Sequence, residues 1–253
     1  AAHNLNKNLS LSLPALNLIQ AAKAGMKEIL VPCASCYNRL AVTQHKLTKD
    51  AVLRKEIEAM NGAEFPSELK LINLVEFVQA YISPELKERV VQPFGDVVCY
   101  YGCYLVRPSQ VLAFDRPEDP QSMDLIMREM GANSLDFPFK TECCGAGLSV
   151  SRTDSVARLS GKIVREATQR NAQALIVACP MCHSNLDMRR KSIQEYYHQS
   201  YDIPVLYLSQ AIGLAIGLDP KSLGIHRHMV EVDLSKLMGK TMDLVSKTKE
   251  EHV

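Results

Sequence analysis

An internal repeat is the feature that most constrains how this chain can fold. Residues 31–40 match residues 177–186, with cysteine at the third and sixth positions and leucine at the tenth position of each segment. The offset is 146 positions, measured from Cys33 to Cys179, which is far longer than the unit of a solenoid protein. A repeat of this length is typical of duplicated domains, so we expect two copies of one domain.

The residues around each copy predict an α/β architecture. A short apolar run, 28–31 in one copy and 174–177 in the other, leads directly into the cysteines and is typical of a β-strand. Helical periodicity precedes each run, at 13–23 and at 160–171. Gly25 and Asn171 are typical helix stop signals. Helices that alternate with short strands favour a small parallel or mixed sheet flanked by helices in each copy.

The repeat also predicts domain boundaries. Residues 1–92 are expected to form the C-terminal part of a first domain, and residues 93–253 a complete second domain that ends in a helical tail. Moved back by the repeat length, Cys143 and Cys144 fall just before Ala1. We therefore expect the first copy to be incomplete and the chain to lack part of its N-terminus.

The tail has apolar residues at helical spacing between 230 and 245. These residues are Val232, Leu234, Leu237, Met238, Met242, Leu244 and Val245. They either pack back on the core or dock a partner subunit. The charged run 247–252 is expected to be a solvated helix end.

Eight cysteines form two Cys-x-x-Cys pairs, one adjacent pair and two single positions. They are Cys33, Cys36, Cys99, Cys103, Cys143, Cys144, Cys179 and Cys182. This is a poor disulfide framework, because disulfide-dense domains are usually small and secreted. Close spacing of this kind indicates metal or redox chemistry in a reducing compartment, so we expect a cytoplasmic protein. The net charge of +1 and the lack of a long apolar run argue against nucleic-acid binding and a membrane span.

Five cysteines of the second copy are candidates for one site. They are Cys103, Cys143, Cys144, Cys179 and Cys182. Each group follows a strand-like run or a loop, and strand ends of an open α/β sheet converge on one crevice. Five thiolates exceed the four ligands of structural zinc, whereas a polynuclear iron–sulfur cluster can share them. An isolated Cys-x-x-Cys is also typical of zinc or a dithiol pair. Cys99 lies outside the pattern and is expected to be a buried core thiol.

The order of these motifs resembles the CCG-domain family, and within it the B subunits of CoB–CoM heterodisulfide reductases. The matching segments are Gly102-Cys103, the Cys-Cys-Gly-Ala-Gly run at 143–147 and the Cys-Pro-Met-Cys-His run at 179–183. Cys33 and Cys36 resemble the remnant of a first motif. The resemblance covers nearly the whole chain.

The resemblance implies two non-cubane 4Fe–4S clusters, each held by five cysteines. Cys103, Cys143, Cys144, Cys179 and Cys182 would hold one cluster and carry the catalysis. Cys33 and Cys36 would supply two ligands of the second cluster, which is expected in a full-length chain. The implied reaction reduces a disulfide, the mixed disulfide of coenzymes M and B or an analogue. Electrons would come from a ferredoxin-like C subunit and a flavin-containing A subunit.

Two other functions compete with this interpretation. The chain could be a CCG-type electron-relay subunit of a glycolate-, lactate- or succinate-oxidising system. Many such subunits also carry ferredoxin-type cysteine runs, which this sequence lacks. The cysteines could instead form structural zinc sites in a scaffolding protein.

Four polar residues near the cysteines have open roles. His183 either donates a hydrogen bond to a cluster sulfur or faces solvent at a helix start. Arg39 and Asn185 either line the cavity or have surface or capping roles. Arg107 is a candidate for holding an anionic coenzyme group.

Overall fold

The computed structural model describes residues 6–238, apart from the side chains of Ser83 and Pro84. In the first part of the chain, helices alternate with two strands. The elements are α1 (Lys7–Lys23), β1 (Glu28–Val31), α2 (Ala34–Lys49), α3 (Ala51–Asn61), β2 (Lys70–Asn73), α4 (Leu74–Phe77), a π-helical turn (Val78–Ile82) and α5 (Ser83–Glu88). The two strands pair in parallel, with Val31 opposite Asn73 at their carboxyl ends.

The second part of the chain contains a larger sheet. Its elements are β3 (Asp96–Tyr100), α6 (Cys103–Val106), α7 (Ser122–Glu129), β4 (Asn133–Ser134), a 3₁₀ turn (Ala146–Leu148), α8 (Thr153–Gln169), β5 (Ala174–Val177), α9 (Pro180–His183), a π-helical turn (Ser184–Met188), α10 (Arg190–Tyr197), β6 (Val205–Tyr207), α11 (Leu208–Ala215), a 3₁₀ turn (Ile225–Arg227) and α12 (Leu234–Met238). The strands are parallel in the order β4-β3-β5-β6. These parallel sheets and their connecting helices confirm the predicted α/β class. Among the described residues, no helix combines the length and apolarity that a membrane crossing requires.

The register of the larger sheet aligns the carboxyl ends of its three longer strands. Tyr100 at the end of β3 lies opposite Val177 of β5, which lies opposite Tyr207 of β6. The loops that leave these parallel strands therefore start at one edge of the sheet. Cys103 and Cys179 follow two of these strands directly, so the register places both cysteines at that edge.

One hydrophobic core joins the two parts of the chain. The central strands β3 and β5 are apolar on both faces, as expected of strands covered on both sides. Val75 and Val78, which come from the first part, belong to the same buried cluster as these strands. The two parts of the chain therefore pack directly on each other.

Each Cys-x-x-Cys pair begins a helix. Cys33 is the N-cap of α2, and its Sγ accepts a hydrogen bond from the Cys36 backbone N–H at 3.4 Å. Cys179 holds the equivalent position before α9, and Pro180 follows as the first helical residue. Proline fits there because the backbone N–H of a first-turn residue has no partner within the helix.

Strand positions agree with the sequence prediction better than helix starts do. The strands predicted at 28–31 and 174–177 are confirmed. The helix predicted from Leu13 begins at Lys7, because the Asn6 side chain caps it by accepting from the Leu9 backbone N–H at 3.0 Å. The helix predicted from Ser160 begins at Thr153. The predicted stop signals Gly25 and Asn171 both have positive φ, 76° and 56°, and both helices end just before them.

The same order of elements surrounds both Cys-x-x-Cys pairs. In the first part, β1 leads to Cys33, and β2 then pairs with β1 and leads into α4. In the second part, β5 leads to Cys179, and β6 then pairs with β5 and leads into α11. This agreement supports a duplicated domain, while the division at residues 92 and 93 stays a prediction.

The beginning of the tail packs on the core. Leu237 and Met238 are buried, and Val232 and Leu234 contact the same cluster. The helix begins at Leu234, after Asp233 accepts a hydrogen bond from the Lys236 backbone N–H at 3.1 Å. The predictions for Met242, Leu244, Val245 and the charged run 247–252 lie outside the described residues.

Candidate functional site

The thiols of the seven cysteines predicted as ligands form one connected group. Thiol–thiol contacts join Cys103 to Cys143, Cys144 to Cys182 at 3.5 Å, Cys182 to Cys179, Cys179 to Cys33, and Cys33 to Cys36. Because Cys143 and Cys144 are neighbours in sequence, the chain of contacts is continuous. We call this group the thiol site.

The backbone before Cys103 is held by the loop that precedes the Cys-Cys-Gly run. The N–H groups of Tyr101 and Gly102 both donate to the Lys140 carbonyl oxygen, at 2.9 and 3.0 Å. Gly102 has φ of 70°, and a Cβ there would lie 3.1 Å from the Cys182 Sγ. Glycine is needed because both the conformation and the close approach of the sulfur disfavour a side chain.

Hydrogen bonds shape the Cys-Cys-Gly turn. Gly145 has φ of 83°, and its N–H donates to the Cys143 Sγ at 3.3 Å. The Cys144 carbonyl oxygen accepts from the Ser160 hydroxyl at 2.8 Å and from the Asn185 amide at 3.1 Å. The same Asn185 amide lies 3.7 Å from the Cys144 Sγ. These bonds set the direction in which the adjacent thiols point.

The two Cys-x-x-Cys pairs meet across the repeat. The Cys33 thiol and the Ser35 backbone N–H lie beside the Cys179 sulfur, and both lower the pKa of Cys179. The sequence prediction treated Cys33 and Cys36 as a separate half-site, and this contact was not predicted. The two pairs occupy equivalent positions in the repeat, and this is the sequence signal from which the contact could have been predicted.

Hydrogen bonding within the thiol site lowers the pKa of three sulfurs. The bond with Cys103 is the main reason that the pKa of Cys143 falls to about 6. Bonding with Cys182 is the main cause of the lowered pKa of Cys144 and of the pKa of about 2 at Cys179. The same hydrogen bonds, followed by burial, raise the pKa values of the partners Cys33, Cys103 and Cys182. In each hydrogen-bonded pair one sulfur is therefore the more acidic, and the thiolate is the form of cysteine that binds metal ions.

Tyr100 lies beside the thiol site. Its phenol is buried and donates to the Glu142 carbonyl oxygen at 2.7 Å. Burial, followed by the nearby cysteines, raises the pKa of Tyr100 well above its ordinary value. The phenol therefore stays protonated, and its hydrogen bond fixes the backbone of Glu142, which precedes Cys143.

Cys99 does not belong to the thiol site. It is fully buried within β3, and its Sγ lies 3.8 Å from the Ser134 hydroxyl. Burial raises the pKa of this thiol well above its ordinary value. The prediction of a core thiol is confirmed.

A cavity of about 470 Å³ opens beside Cys103. It is lined by residues from both parts of the chain, among them Asn38, Tyr104 and Arg107. The Arg107 guanidinium forms an ion pair with Glu118 at 2.7 Å and donates to the Thr141 hydroxyl at 3.3 Å. The predicted role of Arg107 towards an anionic group stays a prediction.

Two of the predicted polar residues have surroundings that differ from those expected. His183 is buried, with its Nε2 at 3.1 Å from the Val205 carbonyl oxygen and its ring stacked on Tyr207, so the solvent-facing role is wrong, while a hydrogen bond to a cluster sulfur stays a prediction. Asn185 is fully buried against Cys144, so a surface or capping role is wrong. Arg39 is exposed, which agrees with a surface role.

The donor set fits an iron–sulfur group. Seven thiols, none of them in a disulfide, contact one another at a partly buried site, and three of them have a lowered pKa. Thiolates at such density repel one another unless a cation lies between them. Cysteine thiolates are the ligands by which proteins hold iron–sulfur clusters.

Comparisons with known proteins agree with this chemistry. Residues 97–187 match the family CCG, described as a cysteine-rich domain. The B subunit of the ferredoxin:CoB-CoM heterodisulfide reductase of Methanosarcina mazei is 31% identical over 240 residues, which cover 90% of this chain and 78% of the relative. The 8-methylmenaquinol:fumarate reductase membrane anchor subunit of Wolinella succinogenes is 28% identical over 208 residues, which cover 80% of this chain and 72% of that protein.

A solved structure shares the fold. The crystal structure of a hypothetical protein from Helicobacter pylori superposes with a TM-score of 0.70 at 14% sequence identity. The match covers 90% of this chain but only 43% of that protein, so the chain spans less than half of its length. At this identity, the likeness shows the fold alone. The CCG match and the identity to the Methanosarcina protein together show that the chain belongs to the family of heterodisulfide reductase B subunits.

Proposed function

We propose that this chain is the iron–sulfur catalytic subunit of a heterodisulfide-reductase-like complex. In this role it reduces a disulfide, the mixed disulfide of coenzymes M and B or an analogue, with electrons from partner subunits. The observation that carries the proposal is the meeting of the Cys103, Cys143, Cys144, Cys179 and Cys182 thiols in one site. The family membership supports the same oxidoreductase function.

The proposed cofactor is a non-cubane 4Fe–4S cluster held by these five thiols. A bound cluster supplies the one-electron steps that disulfide reduction needs when electrons arrive singly. Cys33 and Cys36 are proposed ligands of a second cluster. The contact between Cys33 and Cys179 supports two neighbouring sites.

Several residues of the chain position the thiols for this role. The Lys140 carbonyl holds the backbone before Cys103, and the Tyr100 phenol holds the backbone before Cys143. The Asn185 amide, donating towards the Cys144 sulfur, stabilises negative charge there. Hydrogen bonds and burial of this kind tune the potential of sulfur-bound iron.

The cavity beside Cys103 is the proposed place where a small disulfide enters. Its volume of about 470 Å³ is typical of sites for small molecules. Asn38 holds one wall by donating to the Tyr104 carbonyl oxygen at 3.0 Å. Arg107 supplies a cation at this wall, although Glu118 neutralises it in part.

The proposed partners are a ferredoxin-like C subunit and a flavin-containing A subunit, and the proposed location is the cytoplasm. Several relatives are named as subunits of heterodisulfide reductases, which supports an assembly with other chains. Residues 1–92 and 93–253 are the proposed domains of the chain.

An electron-relay subunit is the second candidate function. The relative in a menaquinol:fumarate reductase favours it, because that name describes an enzyme whose two substrates carry no disulfide. A relay would hold the same cofactor without reducing a disulfide itself. Activity towards a disulfide therefore separates the two candidates.

Anaerobic reconstitution of the full chain tests the cofactor. We expect iron and acid-labile sulfide in matching amounts for the wild type and for Cys99→Ala, which removes a thiol outside the site. Cys144→Ala is expected to lose most of the iron. A colourless wild-type protein that holds zinc and no sulfide would contradict the proposed cofactor.

Disulfide reduction is then measured with the reconstituted protein and a one-electron donor dye. The catalytic proposal predicts oxidation of the dye that depends on the added mixed disulfide, in the wild type and in Cys99→Ala but not in Cys144→Ala. A protein that holds the cluster and exchanges electrons with the dye, but ignores every disulfide offered, would show the relay function instead.

A further inference from the structure

Three metal-ligating side chains meet outside the thiol site. His183, Asp187 and His228 each offer a ligand atom, and these atoms lie within 4.8 Å of one another. The His183 Nε2 and the His228 Nδ1 are 3.3 Å apart. His183 and Asp187 lie four residues apart on one helical segment, whereas His228 comes from the loop after the 3₁₀ turn that ends at Arg227. The cluster therefore joins two segments that are distant in sequence.

The carboxylate of this cluster is a buried charge. Asp187 is fully buried, and its oxygens accept from the backbone N–H groups of Met229 and Val230 at 2.9 and 3.2 Å. Among the described residues, no lysine or arginine forms an ion pair with it. The nearby Arg190 donates instead to carbonyl oxygens, including that of Tyr201 at 2.8 Å. A carboxylate has about four acceptor positions, so two remain for a cation. An unpaired buried charge is costly, and a bound cation would offset that cost.

The types of ligand atom match a divalent metal ion of intermediate softness, such as Zn²⁺. Two imidazoles and one carboxylate are common ligands of Zn²⁺, which takes a water molecule as its fourth ligand at open sites. The Gln210 amide lies 3.0 Å from the His228 Nε2, and the Tyr207 ring stacks on His183. These contacts fix the positions of the two imidazole rings.

Solvent reaches the cluster from two sides. A cavity of about 840 Å³ is lined by His228, and another of about 1250 Å³ is lined by Asp187. Met229 lines both cavities. A hydrated ion can therefore approach Asp187 and His228 from these cavities.

We propose that His183, Asp187 and His228 bind one divalent ion of the zinc class at a site separate from the thiol site. The ion links the loop at 225–230 to the helical segment at 183–188, which follows Cys182 directly in the sequence. Its role is structural, because it fixes the loop against the helix whose first turn carries the cysteines. The proposal goes beyond the redox function and does not depend on what the thiols hold.

X-ray absorption at the zinc edge tests the site. The full chain is reconstituted with iron and sulfide first, so that its thiols are occupied, and Zn²⁺ is then added. We expect a stoichiometric zinc whose shell consists of nitrogen and oxygen at about 2.0–2.1 Å with imidazole scattering, and not of sulfur at about 2.3 Å. His228→Gln is expected to lose this zinc, whereas the control His226→Gln, an exposed histidine of the same loop, is expected to keep it.

A wild-type zinc shell made of sulfur alone, or a nitrogen and oxygen shell that persists in His228→Gln, overturns the proposal. Circular dichroism checks that His228→Gln is folded. If it is not, the isosteric variant Asp187→Asn takes its place, and retention of the same zinc shell in that folded variant overturns the proposal equally.

Discussion

At the residue scale, the site depends on a few residues that position the sulfurs. Gly102 combines a φ of 70° with close approach of a sulfur, since a Cβ at this position would lie 3.1 Å from the Cys182 Sγ. Asn185 is fully buried and donates to Cys144, so its amide serves both the backbone and the thiol. These residues carry no redox chemistry themselves, yet they decide where the sulfurs lie.

The substitution Gly102→Ala tests this requirement. We expect a loss of about 1–3 kcal/mol in the free energy of unfolding from the positive-φ conformation alone, and a lower iron content after reconstitution. The control Gly147→Ala adds a methyl group in open space near the same site and should leave both quantities unchanged. Equal iron content in the two variants would show that the approach of Cys182 to Gly102 does not limit the site.

At the scale of elements, a buried ion pair joins the segments that carry the cysteines. The Lys140 Nζ lies 3.3 Å from the Asp124 carboxylate of α7, and both side chains are almost completely buried. Asp124 also accepts from the Tyr101 phenol at 2.7 Å and from the Ser134 hydroxyl at 2.8 Å. This network ties α7, β4 and the end of β3 to the loop before Cys143.

Lys140→Met removes one partner of that pair. We expect a loss of about 3–5 kcal/mol in the free energy of unfolding, because the Asp124 charge stays buried without its cation. Denaturant titration followed by circular dichroism measures the loss. Lys191→Met is the control, since Lys191 is exposed and its contact with Glu195 is 4.0 Å long, and no measurable change is expected. A loss below about 1 kcal/mol for Lys140→Met would mean that water replaces the lysine.

At the scale of the whole molecule, the two parts of the chain share one core and one site. Val75 and Val78 of the first part pack into the same buried cluster as the large sheet. The Asn38 amide of α2 donates to the backbone carbonyl oxygens of Tyr104 and Arg107 in the second part. Cys33 reaches Cys179 across the same boundary.

Asn38→Leu tests the contribution of this boundary. The variant leaves two carbonyl oxygens without their donor, so we expect a loss of about 1–3 kcal/mol in the free energy of unfolding. Hydrogen exchange should also become faster in the helix that begins at Cys103. Arg39→Ala, an exposed neighbour on the same helix, is the control and should change neither quantity. Unchanged exchange at 103–106 in Asn38→Leu would show that α2 does not hold this helix.

The α/β class, two strand positions and the grouping of five cysteines as candidates for one site could be predicted from the sequence. These features are local or periodic: a short apolar run that leads into a cysteine pair, as at 174–177, is typical of a strand. The Cys-Cys-Gly and Cys-x-x-Cys spacings likewise carry their chemistry within a few residues. Cys99 lies outside these motifs, and its predicted position in the core is confirmed.

Contacts between residues far apart in the sequence depend on how the elements pack. The contact between Cys33 and Cys179, the burial of Asn185 against Cys144 and the meeting of His183 with His228 all join residues that are at least 41 positions apart. Local propensity says nothing about such pairs, because they form when whole elements pack and exclude water. The pattern of the chain therefore selects the elements and their chemistry, while packing selects which side chains meet.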